Sequence, residues 1–223
     1  MNLAKSYDFF KPDMCRERIH IIGCGSVGSV VAENLARFGL TKISLYDFDH
    51  VESKNIVNQM FTQEDVGKLK VDAVAEYITK INPEIAEDLK VFDKGYTGQR
   101  LSGYVFLCVD NIELRKQIAE SCVGNTFVKA MFDFRTRLTD AQHYAADWSV
   151  PKMVENFIAR MDFSHAEAAA ATPVSACNVT LSVATTIRVI VGYGVSNFIN
   201  FASGKELKQQ IICDAFSFGI DAF

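Results

Sequence analysis

The segment Gly23-Cys-Gly25-Ser26-Val27-Gly28 constrains this chain more than any other. It follows Arg18-Ile-His-Ile-Ile-Gly23, an apolar run of strand length, and opens a stretch from Ser26 to Phe38. In that stretch Val27, Val30, Val31, Leu35 and Phe38 recur at helical spacing before Gly39. Strand, glycine turn and helix in this order place free backbone N–H groups and the positive end of a helix dipole at the turn, where phosphate can bind. A purely structural reading also exists, in which the glycines serve only to pack strand against helix.

Further along, Lys42 to Asp47 reads as a second strand, and Asp65 to Ile81 as an amphipathic helix closed by Asn82-Pro83. Strands at Leu89–Phe92, Tyr104–Val109 and Phe127–Asp133 alternate with a helix over Ile112–Cys122. The alternation predicts an α/β fold: a Rossmann-like, mostly parallel sheet flanked by helices, with a C-terminal helix and closing strand. Arg135 to Ala146 reads as an extended hairpin arm, Pro151 to Ala171 as helical or loose, Val179 to Phe201 as a long helix, and Gln209 to Phe218 as the closing strand. With no repeat and no linker-like composition, residues 1–223 are expected to form one domain. It would comprise an N-terminal arm (1–17) packed through Phe9, Phe10 and Pro12, a core (18–133), and a C-terminal part (134–223) offering a carrier or dimer surface.

An apolar content of 49% suits a packed core, and a net charge of −4 argues against a general nucleic-acid binder. Small-molecule or protein partners fit better. None of the six cysteines forms a C-x-x-C pair, and the four histidines (His20, His50, His143, His165) lack i, i+4 spacing, so neither a zinc site nor a helical metal pair is expected. The run Val179 to Phe201 carries Arg188, Asn197, Asn200, Gly192 and Gly194, which favours a core helix over a membrane span. The expected location is the cytoplasm.

Asp47 lies 19 residues past Gly28, where a carboxylate can accept hydrogen bonds from ribose hydroxyls. That position suits NAD and ATP equally. Asp49 either shares the role or caps the turn.

The continuation Asp47-Phe-Asp49-His-Val-Glu-Ser-Lys-Asn55-Ile-Val-Asn58-Gln59, then Asp65-Val-Gly67-Lys-Leu-Lys70, then Val109-Asp110-Asn111 with Arg115, resembles the ThiF/MoeB/HesA superfamily, to which ubiquitin-activating enzymes are related. The resemblance is close from Arg18 to Arg115 and fades afterwards. It implies an adenylyltransferase using ATP and Mg²⁺, in which the C-terminal carboxylate of a ubiquitin-like or sulfur-carrier protein attacks the α-phosphate and pyrophosphate leaves. The implied nucleotide site is Gly23, Gly25, Ser26, Val27, Gly28, Asp47, Asp49, Asn55, Asn58, Gln59, Lys70 and Asp110. Lys70 would be the phosphate cation and Asp110 the Mg²⁺ ligand. A homodimer is implied as well.

These residue types also allow plainer uses: Lys70 as a solvated helix lysine, Asn55 as a turn residue, Asp110 as a helix cap. Cys177, before the long helix, is either a thiol activated for thioester formation or a small core residue. Trp148 and Tyr144 either line the cleft mouth or pack in a core or dimer contact. Where the superfamily pattern has arginine before glutamine, this chain has Asn58, and a neutral amide cannot replace that charge. Arg16, Arg18, Lys54, Arg115, Arg135 or Arg137, from this subunit or a partner, are the candidate replacements. Two other functions remain open: a degenerate ATP-binding scaffold or regulatory relative, and a dinucleotide-dependent oxidoreductase, for which no catalytic dyad is evident.

Overall fold

The computed structural model describes residues 1–163, 167 and 181–223. Cys177, His165 and the alanine-rich run after Glu167 lie outside the described residues. Among those described, eight strands form one sheet in the order β3-β2-β1-β4-β5-β6-β7-β8. β1 (Ile19–Ile22), β2 (Ile43–Tyr46), β3 (Lys90–Phe92), β4 (Gly103–Leu107) and β5 (Val128–Thr136) are parallel. β6 (Asp140–Asp147), β7 (Gln210–Asp214) and β8 (Gly219–Ala222) extend the sheet antiparallel.

Helices cover both faces because side chains alternate along each strand. Ile19 and Ile21 of β1, and Tyr104 and Phe106 of β4, join a core with α1 (Ser26–Arg37), α2 (Lys70–Ile81) and α5 (Ala184–Ala202). Ile22, Val105 and Leu107 face a second core with α3 (Ile112–Ser121) and α4 (Pro151–Ala159). Trp148 belongs to that second core: its ring meets Phe157 edge to face and its Nε1 donates to the Cys122 carbonyl at 2.7 Å. It also lines a pocket with Arg16, Tyr104 and Lys129 at the N-terminal ends of the parallel strands, the opposite end of the sheet from the glycine turn.

α5 explains one of the two glycines of the apolar run. A Cβ at Gly194 would lie 2.3 Å from the Phe134 ring, so the helix approaches β5 closely only because that position has no side chain. Phe198 on the same helix meets Phe106 and Phe132 edge to face at 5.4 and 5.5 Å. No helix among the described residues is long and apolar enough to cross a membrane.

The structure departs from the sequence reading in four places. α2 starts at Lys70 rather than Asp65, because a 3-10 turn at Gln63–Asp65 and Gly67, at φ +92°, break the chain before it. Residues 135–146 do form a hairpin, the end of β5 with most of β6, but it lies within the sheet rather than as an arm, paired from Ala130–Asp147 to Thr136–Ala141. The closing strand is a hairpin of β7 and β8. In the arm, Phe10 is buried while Phe9 is exposed.

Candidate functional site

The C-terminal ends of the parallel strands hold the residues singled out from the sequence. Two of the loop glycines are required by packing alone. Gly23 has φ +96° and lies against the Cys108 carbonyl carbon, 2.7 Å from where a Cβ would stand; a Cβ at Gly28 would sit 1.8 Å from the Gly23 oxygen. Gly25 differs, since a Cβ there would meet no atom within 4 Å. It is also the N-cap of α1 and supplies no side-chain cap, so the first N–H groups of Ser26, Val27 and Gly28 lack a side-chain acceptor in front of an open space.

Four residues join this loop to α2 through hydrogen bonds. Asp47 accepts the Cys24 N–H on Oδ2 at 2.6 Å and the Asp49 N–H on Oδ1 at 2.9 Å. Asp49 accepts the Lys70 N–H on its carbonyl at 2.9 Å and the Lys70 ammonium on Oδ2 at 2.8 Å. Burial pushes the Asp47 carboxyl above the ordinary range, opposed by those two N–H groups and by Lys70. Each Asp47 oxygen retains a further lone pair for a hydroxyl donor. Lys70 is 8% exposed and ion-paired, which rules out the solvated-lysine reading. Asp49 is the partner of that lysine.

Asn55 closes a reciprocal capping box: its Oδ1 accepts the Glu52 N–H at 2.9 Å. That is the turn role, and it leaves the amide NH₂ as the donating end. Asn58 and Gln59 follow, both with N–H groups bonded to the Asn55 carbonyl, and the Met60 N–H donates to Ser29 Oγ at 3.3 Å, tying the turn to α1. The Gln59 Oε1 is buried without a hydrogen-bond partner, a cost of about 1–3 kcal/mol unless a donor reaches it. Asp110 is exposed two residues beyond Cys108, beside the loop. It does not cap α3, because Asn111 does, accepting the Leu114 N–H at 2.8 Å. A single exposed carboxylate is compatible with Mg²⁺, which commonly keeps several waters and takes one or two protein oxygens alongside phosphate. Cys24 is fully buried, which pushes its thiol well up and suits the absence of any chemistry assigned to it.

Of the six cations suggested as replacements at Asn58, Arg18, Arg115 and Arg135 are committed to partners away from that turn, while Arg16, Lys54 and Arg137 are exposed and make only surface contacts. Arg16 donates to the Asp13 carbonyl, Lys54 pairs with Glu52, and Arg137 approaches Asp140 at 3.9 Å. Arg18 sits at the opposite strand ends, bonded to the Ile43 and Asp88 carbonyls and Ser44 Oγ. Arg115 and Arg135 share Asp133, at 2.6 and 2.8 Å. Arg115 also donates through Nε and Nη2 to the Val109 carbonyl, bracing the residue before Asp110.

The Asp133 cluster was not visible in the sequence. The Asp133 carbonyl accepts from His143 Nδ1 at 3.1 Å, and His143 Nε2 faces Asn197 Nδ2 at 3.2 Å. Asn197 in turn exchanges hydrogen bonds with the Lys208 backbone. Since a carbonyl can only accept, Nδ1 carries the proton, and since the Asn197 NH₂ can only donate, Nε2 accepts and the ring is neutral. The only available signal was a polar residue inside an apolar run: Asp133 between Phe132 and Phe134, and Asn197 in the apolar helix.

Burial lowers His143 to about 4, and burial with the Arg18 charge lowers His20 to about 4, from an ordinary 6.5. The unfolded chain therefore binds these protons first. Stability should be full above pH 6.5 and decline as pH falls toward 4, by up to about 3 kcal/mol per histidine. Urea unfolding across pH 7.5 to 4 tests this, and a flat profile between 6.5 and 4 would contradict two buried neutral imidazoles.

A parallel sheet whose strand ends carry a glycine turn and an uncapped helix N-terminus belongs to the Rossmann-like class. The ThiF family profile matches residues 11–220, and the chain belongs to that family. Ubiquitin-like modifier-activating enzyme 5 of Drosophila mojavensis is 34% identical over 141 residues, covering 56% of this chain and 34% of that protein. Its Culex quinquefasciatus counterpart is 31% identical over 142 residues, covering 55% and 34%. The match thus spans about a third of the length of these curated relatives. E. coli MccB, solved with ATP, superposes with a TM-score of 0.73 at 17% identity, covering 95% of this chain and 65% of that one. PaaA superposes at 0.71 with 18% identity, covering 99% and 68%. At these identities the structural likeness concerns the fold.

Proposed function

We propose that this chain binds ATP at the C-terminal strand ends and activates a carboxylate as an acyl-adenylate. The observation that carries the reading is the bonded series Cys24–Asp47–Asp49–Lys70, which sets a buried ammonium and a ribose-type carboxylate beside the uncapped start of α1. Family membership and the printed names of relatives, a modifier-activating enzyme and a protein solved with ATP, support the same reading. A dinucleotide reading gives no reason for the set Asn55, Gln59, Lys70 and Asp110.

In the proposed reaction a substrate carboxylate oxygen attacks the α-phosphorus, the bond to the bridging oxygen of the β-phosphate breaks, and pyrophosphate leaves with the electron pair. Lys70 and the α1 N–H groups meet the phosphate charge, and Asp47 holds the ribose. Asn55 and Gln59 offer amide donors. Mg²⁺ held by Asp110 would neutralise phosphate charge. Positioning and charge stabilisation supply the rate. The carboxylate is proposed to be the C-terminus of a ubiquitin-like or sulfur-carrier protein or a peptide, and the chain to act as a homodimer.

A scaffold that binds ATP without turnover is favoured by one fact, the neutral Asn58 in the turn beside Gln59. ATP–pyrophosphate exchange with Mg²⁺, with and without carrier C-terminal peptides, separates the two. Carrier-dependent exchange is expected. Tight ATP binding with no exchange on any carrier would leave the scaffold, and preference for NAD over ATP would sink both.

A further inference from the structure

We propose that Arg188 is a phosphate-binding residue of this site, supplying the positive charge that Asn58 does not; the proposal rests on the ATP reading above. Arg188 lies one turn into α5, on the part of the helix packed against α1 in the shared core. Its guanidinium reaches the residue after Gln59: Nη2 stands 3.5 Å from the Met60 sulfur, and Nη1 is 3.4 Å from the Ala184 carbonyl one turn back. A thioether is a weak acceptor and 3.4 Å is long for an N–H···O bond, so among the described residues most of its five donors meet no strong acceptor. Among the described residues Arg188 is in no ion pair, and the side chain is exposed.

Its location follows from bonds already described. Met60 is tied by its N–H to the Ser29 hydroxyl, and the Ser29 N–H bonds the Gly25 carbonyl, so Met60 sits beside a residue of the first turn of α1. Gln59, with its orphaned buried oxygen, is the neighbouring residue. The turn that carries Asn58 is therefore served by a guanidinium arriving from α5, across a sequence distance of 128 residues to Met60. Lys70 shares its charge with Asp49, so a nucleotide triphosphate needs a second cation, and a planar guanidinium can meet two phosphate oxygens at once.

Titration calorimetry of the full chain with Mg²⁺ and ATP, ADP or adenosine tests the assignment in the wild type, Arg188→Gln and Arg188→Lys. Arg188→Gln is expected to weaken ATP about 10- to 100-fold while leaving adenosine unchanged, and Arg188→Lys to recover part of the loss. An Arg188→Gln protein that binds ATP like the wild type, or that loses ATP and adenosine equally, overturns the proposal. A wild type that binds neither ligand overturns the ATP reading beneath it, which is a different result.

Discussion

Replacing Asp133 by alanine is expected to lower the unfolding free energy by about 3–5 kcal/mol, because it leaves buried charge without its partner. Asp133 is 0% exposed and is the carboxylate that both Arg115, itself 8% exposed, and Arg135 contact, at 2.6 and 2.8 Å. Removal leaves the buried Arg115 without its counter-charge and takes one partner from the half-buried Arg135, whose Nη2 already lacks one among the described residues. The same change reaches the site, since Arg115 holds the Val109 carbonyl next to Asp110. Asp133→Asn keeps one acceptor oxygen and should cost less. Urea unfolding reads both variants, and a loss below about 1 kcal/mol for alanine would mean that the pair contributes little beyond what solvent supplies.

Replacing Lys70 by alanine is expected to leave the fold almost unaffected and to lower pyrophosphate exchange about 10²- to 10³-fold. The two effects separate because the partner, Asp49, is half exposed, so losing the ion pair costs less than about 1 kcal/mol. In the proposed reaction the ammonium is released from Asp49 to the phosphates, where charge develops in a site partly screened from water. Unchanged exchange in Lys70→Ala would remove Lys70 from the site and return it to the role of a loop clamp for Asp49. A fall in exchange matched by an equal fall in stability would indicate the same.

Local elements were readable because their causes are local. β1, the glycine turn and α1 follow from an apolar run, three glycines and helical spacing within about 20 residues, and the alternation of such units implies a parallel sheet with two covered faces. Less local features were misread. The start of α2 moved by five residues because the left-handed Gly67 ends one turn before the helix begins. The stretch 135–146 looked like an arm because its charged and polar residues alternate, whereas β5 and β6 are held in the sheet by Phe132, Phe134 and Ala145 against α5. β8 was missed because it packs little of its own surface; its four residues are exposed and it is held by pairing to β7.

The order and spacing of residues by themselves determined the fold class and the family resemblance and named the candidate site residues, since each motif is short and its geometry is set by neighbours in the chain. Which charges are free to meet a ligand was decided only by the tertiary structure. Asn111 rather than Asp110 caps α3, Lys70 is held by Asp49, and Arg115 and Arg135 are committed to a buried Asp133. Arg188 reaches Met60 from another helix. Such pairings depend on distances between segments far apart in sequence, and Coulomb and hydrogen-bond energies fall off within a few ångströms, so no pattern along the chain encodes them in readable form.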